Sequence, residues 1–255
     1  MILAKAIRDN LWKSIACAAL LEIHLVIAVV YFPDFEENIE AIKKLVPFEA
    51  FKKTIEAAAT RGFDGYLALQ HFFKAANTFG TFAAVFFGMG AVAGEVERHT
   101  IEFLLSRPYS RTRILATKYV VGALGLVLPL LVVSLTAIPL ARLVDEPVTA
   151  RHVLLQTAHC SLFLLTLYSL TFALSAWMSD APRVAFCVLG IAVVEFSLTV
   201  VKEAARWSIY RLADMNVLVE ILKDKGLPWG LDLGLASASA ALFAVALLRF
   251  QRRDF

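Results

Sequence analysis

The chain has 255 residues, of which 59% are hydrophobic and 18% charged. That apolar share and a mean hydropathy of +0.70 exclude an ordinary soluble domain, whose apolar share is roughly 45–50%. A net charge of only +3 supplies no broad basic field, so nucleic acid is excluded as a partner. Cys17, Cys160 and Cys187 stand singly with no CxxC spacing, which argues against a disulfide framework or a cysteine metal site.

The apolar residues fall into runs near the ~20 residues needed to cross a bilayer. The expected fold is therefore an all-α membrane protein, a single domain over residues 1–255 with six transmembrane helices. Residues 1–13 set Ile2, Leu3, Ala6, Ile7 and Leu11 against Lys5, Arg8, Asp9 and Lys13, the pattern of an amphipathic interfacial helix. The first span, residues 11–31, lacks a persuasive cleavage site and is expected to remain as an anchor. It carries Glu22 and His24, both costly in hydrocarbon unless turned toward protein or water.

Residues 33–71 form a polar excursion that Pro47 divides into two short amphipathic helices, with Gly62 and Gly65 marking the return to the membrane. The second span, 72–93, ends in a GxxxG pair, Gly90 and Gly94, a spacing that permits close helix packing. Residues 95–113 follow as a polar connection. The third span, 119–140, contains Pro129 and Pro139, two expected kinks. The fourth, 153–178, leads into a tight turn where Asp180 or Ser179 can cap the next helix and Pro182 can begin it. The fifth, 184–201, carries Glu195, and a second polar excursion, 202–228, offers Trp207 and Tyr210, with Trp229 after it, as interface anchors. The sixth, 231–248, is closed by Arg249, Arg252 and Arg253.

The connection between spans two and three looks built for a partner. Glu95, Glu97 and Arg98 come first, then Thr100, a natural N-cap. Glu102 sits in the first turn, where the helix dipole favours negative charge. Ile101, Leu104 and Leu105 follow at i, i+3 and i+4 with Phe103 on the edge of their stripe. Pro108 ends the element after about two turns. Arg107, Arg111, Arg113 and Lys118 crowd the approach to the next apolar run.

This stretch resembles the cytoplasmic coupling segment of ABC-2-type transporter permeases, the membrane subunits of two-component ABC exporters. An acid–base pair, a leucine-rich helix, Arg-Pro-x-Ser-Arg and a later Lys make up that pattern. Here they read Glu97, Arg98, Thr100, Ile101, Glu102, Phe103, Leu104, Leu105, Ser106, Arg107, Pro108, Ser110, Arg111 and Lys118, with His99 where the family has Gly. The resemblance implies a separate ABC ATPase subunit that binds ATP and Mg, a second permease copy in a homodimer, and docking of the Ile101/Phe103/Leu104/Leu105 face on the ATPase. Glu97, Glu102 and Arg107 would pair at its rim. It further implies an exporter in a bacterial or archaeal cell membrane.

The chain itself carries no nucleotide site: GxxxxGK[ST] is absent, and Gly-Lys never occurs. HExxH and GxSxG are absent too, so no cofactor and no catalysis are expected of this chain. His152 and His159 can share a helix face, but packing is the simpler reading than metal binding. Glu22 and Glu195, inside spans, are candidates for a translocation path or an interhelical latch. Lys and Arg divide evenly between the two sides, but those on the side of both termini are denser beside the spans, which places both termini in the cytoplasm. The rival readings are a scaffold that recruits a cytosolic protein without ATP-driven movement, and a lipid-acting enzyme using Glu22, His24 and Glu195.

Overall fold

The computed structural model describes residues 2–106, 108–201 and 203–254, which are helical almost throughout and include no strand. In chain order the helices are α1 (Ile2–Val30), α2 (Phe32–Glu37), α3 (Ile39–Leu45), α4 (Glu49–Ala59), α5 (Gly62–Leu67), α6 (Asn77–Met89), α7 (Ala93–Glu97), α8 (Ile101–Leu105), α9 (Arg111–Ala141), α10 (Ala150–Trp177), α11 (Ala181–Leu198), α12 (Met215–Glu220) and α13 (Trp229–Arg252). A π-helical segment, Ala68–Ala76, joins α5 to α6. Among the described residues five helices are long and apolar enough to cross a membrane: α1, α9 with its 3-10 extension, α10, α11 and α13.

α10 is the axis of the bundle. Of its most apolar window 67% is buried, against 39% or less in the other four, and it packs against α6, α9 and α13. Its sequence explains the position. Ser161, Ser169, Thr171 and Ser175 keep the buried faces small, and the last three satisfy their hydroxyls on backbone or neighbouring helices, as Thr171 does on the Leu167 carbonyl at 2.8 Å. Tyr168 on α10 is fully buried and donates to the Tyr119 carbonyl of α9 at 3.0 Å. α1 lies along α9, and Ser14 donates to the Gly125 carbonyl at 3.0 Å. Outward, α1, α9, α11 and α13 expose Ile23, Leu124, Leu128, Phe186, Val193 and Leu233, apolar belts that suit lipid.

Several expected boundaries shift. Residues 2–13 and the first span as far as Val30 form one helix, α1, with no break. The first excursion holds four short helices, α2 to α5, rather than two, with Pro47 between α3 and α4 as expected. Gly62 makes the turn in a left-handed conformation, φ +55°, which glycine adopts without steric cost. Gly65 lies inside α5, pressed on the Ala58 carbonyl. The second apolar run is reached earlier than residue 72 and is not a single α-helix: the chain stays helical from Gly62 to Met89 through the π-helical segment. α9 runs through both Pro129 and Pro139 and starts at Arg111, so Arg111, Arg113 and Lys118 belong to it. Asp180 accepts from the Arg183 N–H at 3.0 Å and caps α11, with Pro182 in its first turn.

The glycines that permit close packing are not the GxxxG pair. A Cβ on Gly90 would meet nothing, whereas one on Gly88 would stand 2.7 Å from Thr171 Cβ and 3.1 Å from the Phe172 backbone nitrogen. α6 and α10 therefore approach through Gly88. Gly88→Ala should destabilise the protein by about 1–3 kcal/mol through overpacking, and Gly90→Ala should leave thermal unfolding in detergent unchanged. Equal melting temperatures for the two variants would contradict this packing.

Candidate functional site

The connection between α6 and α9 is fastened to the bundle by a buried carboxylate. Glu95 on α7 is 1% exposed. Its carboxylate receives the Nζ of Lys5 on α1 at 2.7 and 2.8 Å and the Nζ of Lys118 on α9 at 2.7 Å, and Thr100 donates to it through a short hydroxyl bond. One anion thus ties three elements. Burial alone would raise the Glu95 carboxyl; the charge of Lys118, with hydrogen bonds from Lys118, Lys5 and Thr100, outweighs it and holds the group at about 2.

The neighbouring ends are fastened in the same way. Ser175 on α10 accepts from the N–H groups of Val92 and Ala93 at 2.9 Å each and donates to the Met89 carbonyl at 2.9 Å, bridging the break between α6 and α7. Glu97 accepts from the Ala181 N–H at 3.1 Å, at the start of α11. Arg111 donates to the carbonyls of Phe250, Gln251 and Arg253, satisfying orphan acceptors at the end of α13. Arg253 donates to the Ala176 and Met178 carbonyls at 2.9 Å. Both chain ends and the α7–α8 segment therefore gather at one end of the bundle.

Between α7 and α8 the backbone reverses at His99, φ +54°, a left-handed conformation that explains a glycine preference there. α8 follows as a short helix. Ile101 and Leu104, 5% and 7% exposed, pack into this chain's own core, whereas Phe103 is 75% exposed. Glu102 is exposed and Leu105 half-buried. The expected docking face is thus split: Ile101 and Leu104 hold α8 from beneath, and the outward surface is Glu102 and Phe103. Thr100 precedes α8 but makes no side-chain capping bond, because its hydroxyl is engaged by Glu95. Arg107, expected at the rim, lies outside the described residues.

Glu22 and Glu195 do not meet. Glu22 accepts from the Thr136 hydroxyl of α9 at 2.8 Å. Glu195 accepts from the Ile209 N–H at 2.9 Å, while its own carbonyl takes the Ser208 hydroxyl at 2.6 Å. His152 and His159 diverge as well: His152 lies between Asp64 and Asp224 at 3.2 and 3.1 Å, and His159 between Asp232 and the Leu212 carbonyl at 2.7 and 2.9 Å. Among the described residues no group of three or more His, Cys, Asp or Glu is placed to hold a metal ion. The Lys5–Glu95–Lys118 cluster escaped the sequence reading. Its signal was the first of two acids just past a span, with a lysine placed to open the next.

A family profile described as ABC-2 family transporter protein matches residues 7–219. No curated protein matches the chain.

Glu95→Gln removes the anion and leaves two ammonium groups facing a neutral amide, so it should cost about 3 kcal/mol at pH 7. A depressed carboxyl stabilises the fold fully above its unfolded value of 4.5, and that contribution disappears as pH falls through about 2. The difference in melting temperature between wild type and Glu95→Gln should therefore be constant above pH 5 and shrink steadily below about 4.5. A difference independent of pH would refute the buried ion pair.

Proposed function

The chain belongs to the ABC-2 transporter family, a family of multi-pass membrane permeases, and from that premise we propose that it is the membrane half of a two-component exporter driven by a separate ATP-hydrolysing subunit. ATP and Mg bind that partner, and a second permease copy completes the translocation path in a homodimer. The single observation that carries the coupling is Phe103, 75% exposed on a helix whose other inner residues are buried in this chain. A large aromatic side chain held out on a rigid base is the kind of anchor that carries most of an interface's energy, and Glu102 beside it supplies a charged rim.

The same geometry supports six crossings with both termini cytoplasmic. Lys5 and Arg253 lie at the α7–α8 end, and only an even number of crossings returns both termini to one side. The sixth is the helical path from Gly62 to Met89, long enough at about 1.5 Å per residue to span the bilayer. Its interior polar group His71 bonds Ser134 of α9 at 2.9 Å rather than facing lipid.

Movement imposed on α8 by ATP-driven closure of the partner passes through Glu95 to α1 and α9 and through Glu97 to α11. Displacement of packed elements as bodies is the usual form of such transitions. Glu22 and Glu195, each engaged by a neighbouring segment, act as latches within the bundle, and the translocation path is lined by other residues.

Mild-detergent extraction after co-expression with the partner, followed by an ATPase assay, tests this reading. Wild type should retain an ATP-hydrolysing subunit, and Phe103→Asp should weaken that association by about 30-fold or more, the loss expected of an interface anchor, with thermal unfolding unchanged. Transport by Glu22→Gln and Glu195→Gln should keep the wild-type pH profile. Recovery of the chain alone, or with a partner that cannot hydrolyse ATP, would remove the exporter assignment and favour a scaffold. A shifted pH profile would return the two carboxylates to the path.

A further inference from the structure

The two polar excursions together enclose a cleft of ≈ 610 Å³ at the opposite end of the bundle from α8, within the size range of small-ligand sites. Its walls come from α4, the π-helical segment, the end of α11 and residues 205–216. Phe51, Phe73 and Phe196 make an aromatic lining, and Lys53, Arg206 and Arg211 stand at the rim.

The acids of the cleft are already engaged. Glu49 receives Lys52 at 2.7 Å, and Asp214 caps α12 by accepting from the N–H groups of Asn216 and Val217 at 2.9 and 3.2 Å. Among the described residues no salt bridge engages Lys53, Arg206 or Arg211. Arg206 lies over the Trp207 ring at 5.2 Å, and the charge at the rim without a counter-ion is positive.

A second, independent feature lies within the lining. Asn77, 5% exposed, donates its Nδ2 to the Ala213 carbonyl at 3.0 Å, but its buried Oδ1 accepts from nothing. An unsatisfied buried acceptor has lost its hydration with nothing in exchange, so a ligand that brings a donor to it relieves that loss. Cations at the rim, aromatic walls and an unsatisfied acceptor describe one chemistry.

We propose that this cleft binds an anionic amphiphile, a molecule with a single long apolar chain, an acidic headgroup and a hydroxyl or N–H donor near their junction. The chain lies against Phe51, Phe73 and Phe196, the headgroup meets Lys53, Arg206 and Arg211, and the donor reaches Asn77. The placement of the cleft on the outer face rests on the proposed exporter topology; binding does not, and it needs no ATPase.

The probe is lysophosphatidylglycerol with a photoactivatable group at the end of its acyl chain, applied to the full chain in nanodiscs of zwitterionic lipid without any partner. Labelling should concentrate in the peptides containing Phe51, Phe73 and Phe196. Excess unlabelled lysophosphatidylglycerol should compete, while glycerol phosphate and lysophosphatidylcholine should not. Arg206→Gln combined with Arg211→Gln, two exposed side chains, should reduce labelling about tenfold, the loss of charge-assisted contacts. Asn77→Asp, which keeps the acceptor but adds negative charge, should reduce it as well. Labelling spread over the lipid-facing helices, or unchanged by the arginine substitutions, would overturn the site. Equal competition by lysophosphatidylcholine would overturn the anionic assignment, and competition by glycerol phosphate would show an anion site without the amphiphile. Because no ATPase is present, none of these results bears on the exporter assignment.

Discussion

The structure depends on keeping the Glu95 carboxylate ionised in a place where water cannot reach it. An unpaired anion so buried would cost several kcal/mol and would take up a proton instead. Two lysines from different helices and a threonine hydroxyl prevent that, and the satisfaction of the anion fixes where all three must be. Lys5 sets how far α1 extends past the bilayer run, and Lys118 sets the start of the apolar part of α9. Thr100, held by the same carboxylate, sets the direction in which α8 leaves. The reversal at His99, φ +54°, lies between these two fixed points.

The consequence is an end of the bundle at which side chains tie the helix termini to one another. At the α8 end, Ser175, Glu97, Arg111 and Arg253 connect five helix termini whose backbone groups would otherwise be orphaned. At the opposite end, short helices, 3-10 turns and the cleft between α4 and residues 205–216 take over.

The chain's sequence reveals some of this plainly. Helices α9, α10, α11 and α13 are announced by apolar runs of bilayer length, and the Asp180–Pro182 start of α11 by ordinary capping chemistry. The connection between α6 and α9 stands out because its residue types are ordered, charged then apolar then Arg-Pro. Other features were hidden for physical reasons. An apolar stripe such as Ile101, Leu104 and Leu105 shows that a face will be buried but not whether the cover is a partner or the chain itself; here Ile101 and Leu104 face home. The helical path into α6 was obscured because Gln70, His71 and Lys74 interrupt the apolar pattern, and His71 becomes acceptable only through Ser134, 63 residues away. Thr100 looked like a cap because local sequence cannot show that a carboxylate five residues earlier will claim its hydroxyl. Long-range polar pairs, Lys5 with Glu95 above all, leave almost no local trace.

In the proposed coupling α8 and α9 move as one body because Glu95 holds them together. Spin labels at Ser106 and Val120, both exposed, in a cysteine-free background, allow pulsed electron paramagnetic resonance to read the separation of the two elements. With the ATPase partner bound, the account predicts one narrow distance distribution that is the same with and without nucleotide, and a broad one in Glu95→Gln. A wild-type distance that changes with nucleotide, or a Glu95→Gln distribution as narrow as wild type, would contradict it.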